Sequence, residues 1–187
     1  MRACMMLVAL IAPALACGAS VSAQTTPSQP APSPAAPPRP PACTDAAHRQ
    51  FDFWLGGWDV YPAGSDKPVA RSVIESVYGG CGVRENWLPL NGAGGGSLNN
   101  YDTPSGKWHQ SWIDSSGTRV EFEGGLVDGK MVLTGTHKSG PNAGKGLLVR
   151  MTFTPLPSGW VRQFGEQSSD NGATWQAQYD FTYKPAL

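Results

Sequence analysis

An all-β fold is what this sequence predicts: an antiparallel up-and-down barrel of about ten strands, closed by one short N-terminal helix. Three observations carry it. Charged residues are only 15% of the chain, while glycine supplies 23 of 187 residues and tryptophan seven, a balance that favours sheet over a helix bundle. From Trp58 onward, short β-prone runs alternate with turn signals. No long stretch carries the apolar period of an amphipathic helix. The formal net charge of zero gives no electrostatic footprint for nucleic acid.

Arg2 is the only charge before Arg39, and Met5 to Ala16 is apolar but interrupted by Pro13. A spanning helix needs about 20 such residues, so no transmembrane span is expected. A basic start, a short apolar stretch and a small-residue exit predict a signal peptide over 1–23, cut after Val21-Ser22-Ala23. Leu15-Ala16-Cys17 offers a weaker lipoprotein alternative, because its large apolar residue sits one position too close to Cys17. Residues 24–42 hold eight prolines in nineteen positions, which predicts a disordered, extended tether. The folded domain is then 43–187, exported to the periplasm or secreted.

Cys4 and Cys17 leave with the leader, and Cys43 and Cys81 remain. An even pair in an oxidising compartment predicts a Cys43–Cys81 disulfide, with two buried free thiols as the alternative. Two cysteines and three scattered histidines do not suggest a metal site. The helix is expected over Thr44 to Leu55, capped by Thr44, with Phe51, Trp54 and Leu55 on one face and Gly56-Gly57 ending it. It would plug one end of the barrel.

The expected strands run approximately over 58–62, 70–78, 83–88, 96–101, 108–114, 120–127, 130–137, 146–154, 160–167 and 174–183. Asp128-Gly129 between two apolar runs is the clearest two-residue hairpin signal. Ser168-Ser169-Asp170-Asn171-Gly172-Ala173-Thr174-Trp175 has the S-x-D-x-G-x-T-W pattern of a sialidase-type hairpin. It occurs once, so Asp170, Gly172 and Trp175 are read as structural.

Phe51-Asp52-Phe53-Trp54-Leu55-Gly56-Gly57-Trp58 resembles the opening of a family of secreted bacterial proteins, a domain of unknown function. The resemblance continues through Gly79-Gly80-Cys81 with Glu85 and Trp87, Tyr101-Asp102, Trp108-His109-Gln110-Ser111-Trp112, and Arg162-Gln163 to Trp175. It implies a fold similar to the calycin barrels, the group of the lipocalins, and no activity. Gly56-Gly57-Trp58 fits the Gly-x-Trp element at the first strand of those barrels, with Trp54 just before it. The resemblance also implies a basic residue over Trp58, for which Arg162 is the candidate by position.

Side-chain alternation puts Trp108, Gln110 and Trp112 on one strand face, and Val83, Glu85 and Trp87 on another. Two indoles flanking an amide suit a flat ligand, although the same residues can simply fill a core. Glu85 is expected to be partly buried and paired with Arg162 or Arg150. Glu121 and Glu123, two apart, are read as a solvated face. No cofactor is expected; haem, on one axial imidazole, is the single alternative that His109 or His137 leaves open.

The expected function is a secreted module, monomeric or weakly dimeric, that binds a small amphipathic or aromatic molecule. Its site would be Glu85, Trp87, Trp108, Gln110, Trp112 and Arg162. The alternatives are a barrel enzyme, hydrolase or isomerase, using Glu85 or His109, and a structural envelope protein with a packed interior. The balance leans away from an enzyme.

Overall fold

The computed structural model describes residues 43–186. The signal peptide, the lipoprotein cysteine and the tether read into residues 1–42 lie outside them. The ten strands are β1(Gly56–Pro62), β2(Ala70–Val77), β3(Gly82–Pro89), β4(Gly95–Asp102), β5(Lys107–Asp114), β6(Arg119–Val127), β7(Lys130–Ser139), β8(Leu148–Pro155), β9(Val161–Ser168) and β10(Gln176–Pro185). They form a closed barrel in sequence order. Every pairing is antiparallel, and β1 closes on β10 with Trp58 opposite Pro185 and Val60 opposite Tyr183.

Alternation sets the two faces. In β2, Ala70, Ser72 and Ile74 are buried while Arg71, Val73 and Glu75 are exposed. A one-residue slip would turn Arg71 and Glu75 inward and Ile74 outward, so the buried face fixes the register. At the β6–β7 hairpin, Asp128 and Gly129 have φ of 48° and 74°. Both values are positive, as the tight turn that matches strand twist requires. The last strand starts at Gln176, two residues later than expected, because Asp170 holds the amide of Thr174 at 2.9 Å.

The N-terminal helix is absent, which corrects the expectation over Thr44–Leu55. Successive turns run through residues 46–51 and end in a 3-10 turn, Asp52–Trp54. The amides of Arg49, Asp52 and Trp54 each bond the carbonyl three residues back. Asp45, not Thr44, takes the capping role, accepting from the amides of Ala47 and His48 at 3.0 and 3.2 Å. Tertiary packing explains the tighter winding. With three residues per turn, His48, Phe51 and Trp54 line up on one side, and all three are buried. The rings of Phe51 and Trp54 stack at 4.8 Å.

That stack plugs the lower end of the barrel. Phe51 meets Trp108 edge-on at 5.6 Å and Phe153 at 5.1 Å. The Trp58 indole N–H donates to the Trp54 carbonyl at 2.9 Å, which couples the plug to β1. The Cys43–Cys81 disulfide, with Cα atoms 5.1 Å apart, ties the start of the plug to the β2–β3 connection. Arg49 reinforces the tie by donating to the Gly80 carbonyl. Among the described residues no helix is long and apolar enough to cross a membrane.

The disulfide joins residues 38 apart in sequence, so its removal frees a sizeable loop in the unfolded chain. A Cys43→Ser/Cys81→Ser variant is expected to lose about 3–4 kcal/mol of stability. Urea denaturation of variant and wild type, followed by tryptophan fluorescence, measures the loss. Equal midpoints would mean that the plug holds without its covalent tie.

Candidate functional site

Above the plug the barrel is hollow. A cavity of about 390 Å³ opens at the end opposite the disulfide, lined by residues from β3 and β5 through β10. Its walls are mainly aromatic and apolar: Trp87, Trp112, Phe122, Val149, Tyr179 and Phe181. Trp87 and Phe181 lie 5.8 Å apart, and Tyr179 stacks on Phe181 at 5.1 Å. Tyr179 has room because Gly165 faces it; a Cβ there would stand 2.2 Å from the tyrosine ring. Asp114, Thr118, His137, Arg150 and Gln178 add polar groups to the lining.

The floor is polar. Glu85 is 5% exposed and Gln110 1% exposed, and both line the cavity. The Glu85 carboxyl accepts the hydroxyls of Ser72 and Ser97, each at 3.1 Å. Burial is the largest influence on Glu85 and raises its pKa from 4.5 to about 7, against the pull of Ser97, Ser72 and Tyr183. Tyr183, fully buried, donates to Gln163 Oε1 at 2.8 Å. Burial and the nearby Glu85 push its phenol well above the usual range. Gln163 in turn donates to the Met151 sulfur at 3.3 Å.

A chain of side-chain bonds links Gln110 to Glu85. Asn99 donates to the Val83 carbonyl at 2.9 Å and to Ser97 Oγ at 3.1 Å. That orientation turns Asn99 Oδ1 towards β5, where it accepts Gln110 Nε2 at 2.7 Å. Among the described residues Gln110 Oε1 is buried without a partner, as is His137 Nδ1 on β7. Burial holds the His137 imidazole below its ordinary pKa.

The structure thus brings together four of the six residues named for the site: Glu85, Trp87, Gln110 and Trp112. Trp108 and Arg162 lie elsewhere. Trp108 shares the inward face of β5 but lies one level lower, packed on Phe51, with its indole N–H on Gln50 Oε1 at 3.1 Å. It belongs to the plugged end. Arg162 points outward, because its neighbours Val161 and Gln163 point in. It pairs with Asp180 through two bonds of 2.8 and 2.7 Å and lies over Phe164, not over Trp58.

Glu85 pairs with neither arginine; Arg150 bonds Glu166 at 2.9 Å and covers the Trp175 ring at 4.0 Å. His109 faces outward, its ring 3.3 Å from Ser105 Oγ. Glu121 and Glu123 are also outside, bonded to Ser111 and Lys107. Beside the cavity, Asp170 accepts Thr174 Oγ1 at 2.6 Å and Ser168 Oγ at 2.7 Å, and these bonds lower its pKa to about 2. Gly172 has φ of 87°, and its carbonyl accepts the Trp175 indole N–H at 3.0 Å. Among the described residues no three His, Cys, Asp or Glu side chains converge on one point.

Sequence alone does not single out Ser72, Ser97, Asn99, Tyr179 and Tyr183, nor assign Gln163 to the site. Their signal is polar residues at alternate positions of otherwise apolar runs, as in Ala70-x-Ser72-x-Ile74. In comparison with known proteins, the chain matches no family model and no curated protein.

The buried Glu85 makes stability depend on pH. Its folded pKa of about 7 lies above its ordinary 4.5, so the folded state holds a proton that the unfolded chain releases. Stability is therefore highest below pH ~4.5 as far as this group is concerned, falls by about 3 kcal/mol as pH rises to ~7, and is flat above. Glu85→Gln should remove that slope and be the more stable protein at about pH 8. Urea midpoints of both proteins across this window decide it; parallel curves would mean that Glu85 is ionised throughout.

Proposed function

We propose that this barrel is a binding module for a small, flat, largely apolar molecule with one polar end. The observation that carries this reading is the cavity of about 390 Å³, aromatic on its walls and polar on its floor. A concave apolar site with a few convergent polar groups is the usual form of a small-molecule site. The buried Gln110 Oε1, with no partner among the described residues, supports the same reading, since buried polar atoms are normally satisfied. The closed ten-stranded meander is compatible with a calycin-like barrel, and the disulfide is compatible with export to an oxidising compartment.

A second reading has one observation in its favour. Glu85, with its pKa at about 7, sits on the cavity floor beside Tyr183, as a general acid or base would. His109, the other base considered, lies outside the barrel. A molecule that co-purifies and is recovered unchanged after incubation favours the binding module; a changed mass favours the enzyme.

N-phenylnaphthylamine, a neutral dye that brightens in apolar surroundings, should bind the wild type with about micromolar Kd. Val149→Trp places a large ring in the cavity and should weaken binding at least tenfold, with the far-ultraviolet spectrum unchanged. No brightening with wild type, or equal brightening with the variant, would sink the cavity as the site.

A further inference from the structure

The hydrogen bonds on the cavity floor have a direction. The Val83 carbonyl can only accept, so it fixes the Asn99 amide with nitrogen towards β3. Asn99 then offers oxygen to Gln110, and one N–H of Gln110 is bonded there. Ser97 accepts from Asn99 and gives its own proton to Glu85; Ser72 gives a second. Asn99, Ser97 and Ser72 thereby spend all their side-chain donors inside the protein, and Gln110 spends one of its two. What remains is one N–H of Gln110 beside two acceptors, Gln110 Oε1 and the further lone pairs of the Glu85 oxygens, each of which takes one hydroxyl.

Glu85 also lacks a counter-ion. None of the ion pairs among the described residues includes it. The other ionisable groups of the cavity are Asp114 on β5, His137 on β7, Arg150 on β8, Glu166 on β9, and Tyr179 and Tyr183 on β10. Arg150 is committed to Glu166 and Trp175. His137 is held towards its neutral form, and burial holds both tyrosines in theirs. A buried carboxylate is normally matched by a partner charge, and the described residues supply none. The aromatic walls present ring faces of the kind that attract cations.

We propose that the ligand is a small monocationic amine with a flat body, whose N–H donors meet Glu85 and Gln110 Oε1 while its body lies among Trp87, Trp112 and Phe181. The inference rests on the cavity being the binding site. An anionic ligand would face Glu85 and an unshared carbonyl oxygen. A neutral alcohol would satisfy one acceptor and leave the carboxyl as it is.

The test is calorimetric titration of the wild-type protein with tryptamine, its alcohol analogue tryptophol and its acid counterpart indoleacetate, which share one ring. Tryptamine is expected to bind at least tenfold more tightly than tryptophol, with indoleacetate weakest. Titration in two buffers of different ionisation heat should show tryptamine binding releasing close to one proton at about pH 6 and none at about pH 9, with no release for tryptophol. Glu85→Gln should erase the preference for tryptamine over tryptophol, with the far-ultraviolet spectrum unchanged. The proton release needs only the wild type, so it stands even where the variant fails to fold. Equal affinities, or a preference for indoleacetate, with the dye still bound would overturn the amine and leave the cavity as a site. Failure of both dye and indoles would overturn both.

Discussion

A closed barrel of ten strands encloses more space than its inward side chains can fill. About eight strands is the size at which side chains alone complete the interior. The rest of this structure follows from that surplus. At one end Phe51 and Trp54, both fully buried, are brought in from outside the sheet to occupy it. At the other end none of the described residues comes in, and about 390 Å³ stays open. Tyr179 takes part of the excess by lying over Gly165, a position where any side chain would collide with its ring.

The boundary between the filled and open halves is where the polar residues sit. Ser72, Glu85, Ser97, Asn99 and Gln110 occupy neighbouring inward positions on β2 to β5, each buried and each within a hydrogen-bonded chain. Polar groups at this depth are costly unless paired. They are placed where one side of the interior is sealed by aromatic rings and the other is reachable from the mouth. A packed core would have no use for them, and a solvent-filled mouth would not need to orient them. Five residues on adjacent strands also tie β2, β3, β4 and β5 together through side chains as well as through the sheet ladder.

The all-β class, the number of strands and their sequential order were legible because turn residues punctuate the chain so regularly. Glu85, Trp87, Gln110 and Trp112 were legible as inward residues because alternation needs only a strand and a register. The level of each residue along the barrel axis was not. Trp108 and Trp112 have the same face and the same alternation, yet one packs on Phe51 and the other lines the cavity. Only the position of the plug separates them, and the plug is a tertiary feature. Arg162 was misplaced for a different reason: it was chosen by analogy of position, while the burial of Val161 and Gln163 put it on the outer face. The segment before β1 was apolar enough for a helix, but the need to stack Phe51 on Trp54 favoured three residues per turn over 3.6.

The two ends of the described chain enter and leave at the same place. Cys43 is bound to Cys81 at the plugged end, and the Ala186 amide bonds the Gly57 carbonyl at 2.9 Å. The connections that rim the mouth, residues 63–69, 90–94, 115–118, 140–147 and 169–175, all lie at the other end of the strands. The described chain ends and the cavity mouth therefore lie at opposite poles of the barrel. Rim loops can lengthen, shorten or change composition without disturbing either chain end. For the same reason, domains of this kind can be fused in tandem, or grafted to a surface through either end, with every mouth left free to exchange with its surroundings.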